Sequence, residues 1–199
     1  SNYLYTMLDV NYGSLDVTDC TFEYAYSRAV DYQCSQFTAV AAVSWVWMHD
    51  CSEGLFCSGN GSQALLLRNV MVSACSGVAI DLTSLASSSV VEGVTTTNCG
   101  TGLRLTGASP TVRSCVWDNT TGYAIRENSA GADPIVRFCC FHNSTTAHYY
   151  DWDSSAGLSS VSQIQALMPA GVNVSNVVAD PLLALSSSGD YRLGQPAAG

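Results

Sequence analysis

The sequence predicts an all-β chain, a right-handed parallel β-helix of about six to eight coils with roughly 24 residues each. Three observations predict it. The stretches "PTVRSCVWDN" (110–119) and "PIVRFCCFHN" (134–143) state one pattern twice, 24 residues apart. Four earlier stretches share it, with equivalent positions at Cys20, Val46, Val70, Val94, Cys115 and Cys139 and successive gaps of 26, 24, 24, 21 and 24. A second short segment of alternating apolar residues follows the copies at a nearly fixed offset.

In chain order the first segments are "VTDCTFEY" (17–24), "VSWVWMHD" (43–50), "LRNVMVSA" (67–74), "VEGVTTTN" (91–98), "VRSCVWDN" (112–119) and "VRFCCFHN" (136–143). The second segments are "GLFC" (54–57), "GVAIDL" (77–82), "GLRLT" (102–106), "GYAIRE" (122–127) and "AHYYDW" (147–152). Alternation in Val78/Ile80, Leu103/Leu105 and Tyr123/Ile125 marks strands, and Gly, Ser, Asn and Pro clusters supply the turns between them. Two or three short strands cannot bury a face alone. Stacked units can, each strand pairing in parallel with its counterpart one unit on. A sandwich has no reason to hold this register six times. Val112, Cys115 and Trp117 then point inward, stacked against Val136, Cys139 and Phe141. Arg68, Glu92, Arg113 and Arg137 form an outward ladder.

The rhythm breaks once. Residues 151–176 are too long for a turn. Ser159 or Ser160 can cap a short helix there, with Val161, Ile164 and Leu167 or Met168 on one face and Pro169 at its end. The insertion is expected against the solenoid's side or C-terminal end. Residues 177–199 form a closing strand and tail, so 1–199 reads as a single domain.

The stretches "SPTVRSCVWDN" and "DPIVRFCCFHN" resemble the SPTIxNCxFxxN unit of secreted bacterial right-handed parallel β-helix repeat proteins, in the pectate-lyase-like superfamily. The tail "ADPLLALSSSGDYRLGQPAAG" (179–199) is similar to that family's usual ending, DPLF…GDYxL…SPAIDAG. The resemblance covers residues 15–150 and the tail. It implies a fold shared by enzymes, adhesins and surface proteins alike, and does not choose among them.

Composition narrows the classes. A formal net charge of −9, from sixteen acids and seven Arg with no Lys, argues against nucleic acid and anionic membranes as partners. No apolar run reaches the length of a membrane span. Nine Cys without a CxxC pair point to an oxidising, extracellular or cell-surface setting rather than to zinc. "SNYLYTMLDV" lacks a basic leader region, so the expectation is a processed chain or a piece of a longer one.

The candidate chemistry is sparse. The outward positions of the second strand read Asp81, Thr106 and Arg126 in successive coils, with Arg104 beside them. This is either a groove of one acid and two Arg or a solvated strand face. Asp118 and His142 hold one position in adjacent coils, within hydrogen-bond reach, as a catalytic dyad or a surface ion pair. His49 holds that position three coils before Asp118. Asp151 and Asp153 are candidate Ca²⁺ ligands. Trp45 and Trp47 alternate with Val46 and Met48, which predicts an exposed pair for a ligand or partner chain, or a one-residue register slip. Cys51, Cys75 and Cys99 recur at intervals of 24 and, with Cys115 and Cys139, are candidates for disulfides or stacked buried thiols. Four Asn-x-Ser/Thr sequons stand at Asn60, Asn119, Asn143 and Asn173.

No cofactor or resident metal is expected. The leading expectation is a non-catalytic extracellular structural module, a surface or filament unit. The alternative is a carbohydrate-active enzyme, lyase or hydrolase, or a glycan-binding accessory domain. A solenoid end exposes unpaired strand edges. The first coil is therefore expected to contact another copy head to tail or an upstream region of the same protein.

Overall fold

The computed structural model describes residues 5–34, 40–169, 172, 174–181, 183–185 and 191–193. Residues 1–4 of the first coil, the Asn173 sequon and the tail beyond 193 lie outside the described residues.

Six complete coils stack, and each contributes one strand to each of three parallel sheets. The broad sheet runs from Thr6–Val10 through Arg28–Gln33, Glu53–Ser58, Val78–Thr83, Thr101–Thr106 and Tyr123–Glu127 to Ala147–Asp151. A second sheet runs from Asp16–Thr18 to Ile135–Arg137, and a third from Thr21–Glu23 to Cys140–His142. Pairing is in register from coil to coil, as in Val91 with Val112 and Val112 with Val136.

Left-handed residues make the corners. Between second and third sheets, Asp19, Trp45, Asn69, Gly93, Ser114 and Phe138 stack with φ from 51° to 62°. Between third and broad sheets, Tyr24, Asp50, Ala74, Asn98, Asn119 and Asn143 do the same with φ from 48° to 62°. Asn, Asp and Gly accept this conformation readily; Trp45, Tyr24 and Phe138 do so at a steric cost.

The core lies between the three sheets. Val112, Cys115, Trp117, Val136, Cys139 and Phe141 are all buried, as the repeat predicts. So are Val46, Val70 and Val94 at the equivalent position, whereas Cys20 is exposed because no coil lies beneath it. Small residues of the broad sheet give the large rings room: a Cβ on Gly102 would sit 2.9 Å from Trp117 Cε3 and 2.5 Å from Ala124 O.

The two ends differ. At the C-terminal end, Ala156–Leu158 pairs antiparallel with Ala147–Asp151 and ends the broad sheet. The helix Val161–Ala166 follows, capped by Ser160 in a reciprocal capping box with Gln163, and buries Ile164. Asn176 then imitates a missing strand: its Oδ1 accepts from Cys139 N–H at 2.9 Å and its Nδ2 donates to Val136 O at 3.0 Å. Val177–Val178 extends the third sheet by one strand, pairing with Cys140 and Phe141. At the N-terminal end, among the described residues, only the broad sheet is covered, by Thr6–Val10. Asp16–Thr18 and Thr21–Glu23 are edge strands.

Candidate functional site

The outward face of the broad sheet carries a row of acids and arginines on successive strands. Asp81, Arg104 and Arg126 are in register on three successive strands. This corrects the expected row: Thr106 pairs with Thr83, one pleat further along, and Arg104 takes the place between Asp81 and Arg126. The reason is a doubled glycine. Gly100, not Gly102, is the counterpart of Gly77 and Gly122, since Thr101 N–H bonds Gly77 O and Gly122 N–H bonds Gly100 O. Arg104 Nη2 donates to Asp81 Oδ2 at 2.5 Å and lies 4.0 Å from Glu53. Arg28 reaches Asp31 at 2.7 Å and Glu53 at 2.9 Å, with its guanidinium 3.9 Å from the Phe56 ring centroid. The hydrogen bond that Arg104 donates to Asp81 raises the Arg104 pKa against the opposing effect of burial.

Arg126 differs from these. It lies 5.7 Å from the ring centroid of Tyr123 and 5.8 Å from that of Tyr150, with no acidic partner among the described residues.

Asp118 and His142 meet as predicted. His142 Nδ1 is 2.8 Å from Asp118 Oδ1, and Thr97 Oγ1 donates to Asp118 Oδ2 at 2.9 Å. The carboxylate is fixed by both oxygens. Asn98, Asn119 and Asn143 run beside it as an amide ladder, with Asn143 Nδ2 donating to Asn119 Oδ1 at 2.9 Å and Asn119 donating to Asn98. These groups, with Asp180 and Leu183, line a shallow groove of about 430 Å³. A base held by a carboxylate has the geometry of an acid–base dyad.

His49, in the same column, is engaged on both sides. Its Nδ1 is 2.9 Å from Asp50, its Nε2 is 3.9 Å from Glu23, and its ring stacks on Trp47 at 4.2 Å. Glu23, His49 and Asp50 are the one group of three ligating side chains within 4.8 Å of one another among the described residues. Asp151 and Asp153 do not join such a group: Asp151 is held by Ser154 Oγ at 2.5 Å and by Asp153 N–H at 3.3 Å.

The expected tryptophan pair separates. Trp45 occupies a left-handed corner and is 64% exposed. Trp47 is half-buried, stacked on His49, with Nε1 donating to Ser73 Oγ at 3.2 Å. Val46 and Met48 are buried, so the register is not slipped. Trp47 loses its exposure to neighbouring side chains on the outer face.

One carboxylate pair was not anticipated. Glu127 is 4% exposed and Asp151 8%. Glu127 pairs with Leu105, an inward position, and Asp151 follows one coil later, one step past the Arg126–Tyr150 pair. Tyr149 OH donates to Glu127 Oε1, and Trp152 N–H donates to Oε2 at 2.9 Å. Burial, with a smaller push from Asp151, carries the Glu127 pKa up to about 7 against the opposing pull of those two donors. The signal lay in the alternation Tyr123, Ile125, Glu127: an inward Ile125 makes Glu127 inward too. Both carboxylates are taken up by protein donors beside a cavity of about 370 Å³ under the C-terminal helix.

No disulfide joins the cysteines among the described residues. Cys51, Cys75 and Cys99 form one buried column, and Cys115 lies against Cys139 in another. No described helix is long and apolar enough to cross a membrane.

In-register coils, three parallel sheets and stacked left-handed corners define a parallel β-solenoid. Residues 6–162 match the family described as the right handed beta helix region, and the chain belongs to that family. Curated proteins and solved structures give no match to the chain.

Proposed function

We propose that this chain is a non-catalytic structural module, an extracellular β-solenoid presented on a surface or built into an assembly. The outer face of the broad sheet carries the reading. From Asp31 to Asp81 its carboxylates are held by Arg28 and Arg104. A lyase or hydrolase on this face needs carboxylates available to a metal, a water or a sugar. The acidic, Lys-free composition supports a secreted setting. Trp45, exposed in a conformation unfavourable to a bulky residue, supports a partner contact, since such strain persists where function retains it. The open edges of Asp16–Thr18 and Thr21–Glu23 support a contact at the first coil. The closed C-terminal end favours an upstream region there over a head-to-tail filament.

The test is to incubate the purified chain with pectins and related glycans while imaging it by electron microscopy. No unsaturated or reducing ends are expected. Their release, abolished in Asp81→Ala or Arg126→Ala, overturns the reading.

A second reading, glycan binding, rests on Arg126. A guanidinium flanked by Tyr123 and Tyr150 and free of acids offers a carboxylate contact between two stacking platforms. Binding of polygalacturonate in calorimetry, lost in Arg126→Ala, would establish it.

A further inference from the structure

The corner after each third-sheet strand carries the column Ala25, Cys51, Cys75, Cys99, Thr120, Ser144. Backbone hydrogen bonds fix its register. Ser76 N–H bonds Cys51 O at 3.2 Å, Gly100 N–H bonds Cys75 O at 3.0 Å, and Thr121 N–H bonds Cys99 O at 3.0 Å. In-register residues of adjacent parallel strands lie about 4.8 Å apart, inside the Cα range that a disulfide spans. All three thiols are buried, and each donates to the backbone carbonyl two residues before it: Cys51 Sγ to His49 O at 3.2 Å, Cys75 Sγ to Ser73 O at 3.8 Å and Cys99 Sγ to Thr97 O at 3.3 Å. In this register Cys75 has a thiol on each side. Cys51, 3% exposed, borders a groove of about 600 Å³ lined by Tyr24, Tyr26, Ser52 and Ser76.

We propose that Cys51, Cys75 and Cys99 form a redox-active column that holds one disulfide at a time, with Cys75 as the shared partner. A small disulfide such as oxidised glutathione enters the groove. The Cys51 thiolate attacks one of its sulfurs, that S–S bond breaks, and one glutathione thiolate leaves and takes up a proton. The Cys75 thiolate then attacks the Cys51 sulfur of the mixed disulfide and expels the second glutathione. Two protein thiols have lost two electrons and two protons, and one small disulfide has become two thiols. Cys99 next attacks Cys75, forming Cys75–Cys99 and expelling Cys51 as thiolate, with no net redox change. A straight column suits this last step, because the attacking and leaving sulfurs must lie on opposite sides of the one attacked.

The thiols differ in readiness. The Cys75 contact, with burial, pushes the Cys51 pKa far up. The Cys51 contact pulls Cys75 down, but the Cys99 contact and burial carry it to about 12. The Cys75 contact holds Cys99 below the ordinary thiol range. First attack is accordingly slow near neutral pH and faster in alkali, where the Cys51 thiolate is more populated.

The test treats the whole chain with oxidised glutathione at pH 8.5, quenches with acid, alkylates under denaturing conditions and digests with trypsin without reduction. Cleavage after Arg28, Arg68 and Arg104 separates peptide 29–68, holding Cys34, Cys51 and Cys57, from peptide 69–104, holding Cys75 and Cys99, and fragmentation of the cross-linked pair assigns the bridge to Cys51. Two species are expected: a 29–68/69–104 cross-link, and peptide 69–104 lighter by two hydrogens. Cys75→Ala should remove both, and Cys99→Ala only the second. Cys51→Ala should remove the cross-link. If Cys75→Ala does not fold by circular dichroism, the wild-type peptides and the other two variants decide the matter. Full alkylation of all three column thiols, while exposed Cys20 becomes glutathionylated, would falsify the proposal; so would a cross-link that survives in Cys51→Ala.

Discussion

The two ends of this solenoid solve one problem differently. At the C-terminal end the chain reverses to pair Ala156–Leu158 antiparallel, buries Ile164 over the last coil, and places the Asn176 amide where a further strand would be. At the N-terminal end one strand covers one sheet, and Phe22 is left half-buried beside exposed Cys20. Tyr5, Tyr24 and Tyr26 stand 54–75% exposed near it. The difference teaches that a stack needs only a few residues to end it. They must satisfy backbone groups and cover apolar surface together.

The comparison can be broken most directly at Ile164. Ile164→Ala empties a fully buried site between helix and last coil and should cost about 2–5 kcal/mol, read by urea unfolding. A loss below about 1 kcal/mol would mean that the helix does not close this end.

Glu127 should make the closed end sensitive to pH. Its folded pKa, about 7, stands above the ordinary carboxyl value of 4.5, so the fold favours the protonated form. That stabilisation is complete below about pH 4.5 and is lost as pH rises through about 7, amounting to roughly 3 kcal/mol at most. Glu127→Gln should flatten thermal stability between pH 5 and 8 and exceed the parent at pH 8. A parent whose stability rises over that interval contradicts the reading.

Asn176→Ala leaves a buried N–H and a buried carbonyl without partners, a loss of about 1–3 kcal/mol. Hydrogen exchange should quicken at Cys139, and unchanged protection there would deny the amide its role. Phe22→Ala at the open end should cost about 1 kcal/mol or less, because its ring is already half in water. A cost equal to that of Ile164→Ala would erase the distinction between the ends.

Much of this was legible in the residues. The recurrence of Val46, Val70, Val94, Cys115 and Cys139 at gaps of 24, 24, 21 and 24 gave the stack and its inward positions. Asp118 and His142, sharing a repeat position, were certain to meet once the register held. The helix announced itself through Ser160, the apolar spacing and Pro169. What escaped had a common physical cause. Gly100 and Gly102 lie two residues apart, and a slip of two leaves every side chain on its own face. Alternation therefore could not reveal that Arg104, rather than Thr106, faces Asp81. Glu127 escapes, and Asp151 reads as a loop Ca²⁺ ligand rather than its partner, because carboxylates at core positions contradict the rule that carries the rest of the reading. The partial cover over Trp47 depends on how His49 and Ser73 pack around it, which a linear pattern does not encode.

The stacked corners carry a consequence for how such a chain can change length. Asn69 and Gly93 both turn the backbone in the left-handed conformation at equivalent points, and Val70 and Val94 follow them into the core. A chain joined from Asn69 directly to Val94 meets the same bend and the same inward residue at the seam. Excising residues 70–93 should therefore yield a folded rod shorter by one strand spacing, about 4.8 Å, measurable by small-angle scattering. On this view each coil is a graduation on a ruler, and a duplication or deletion between like corners can reset the length without redesigning either end.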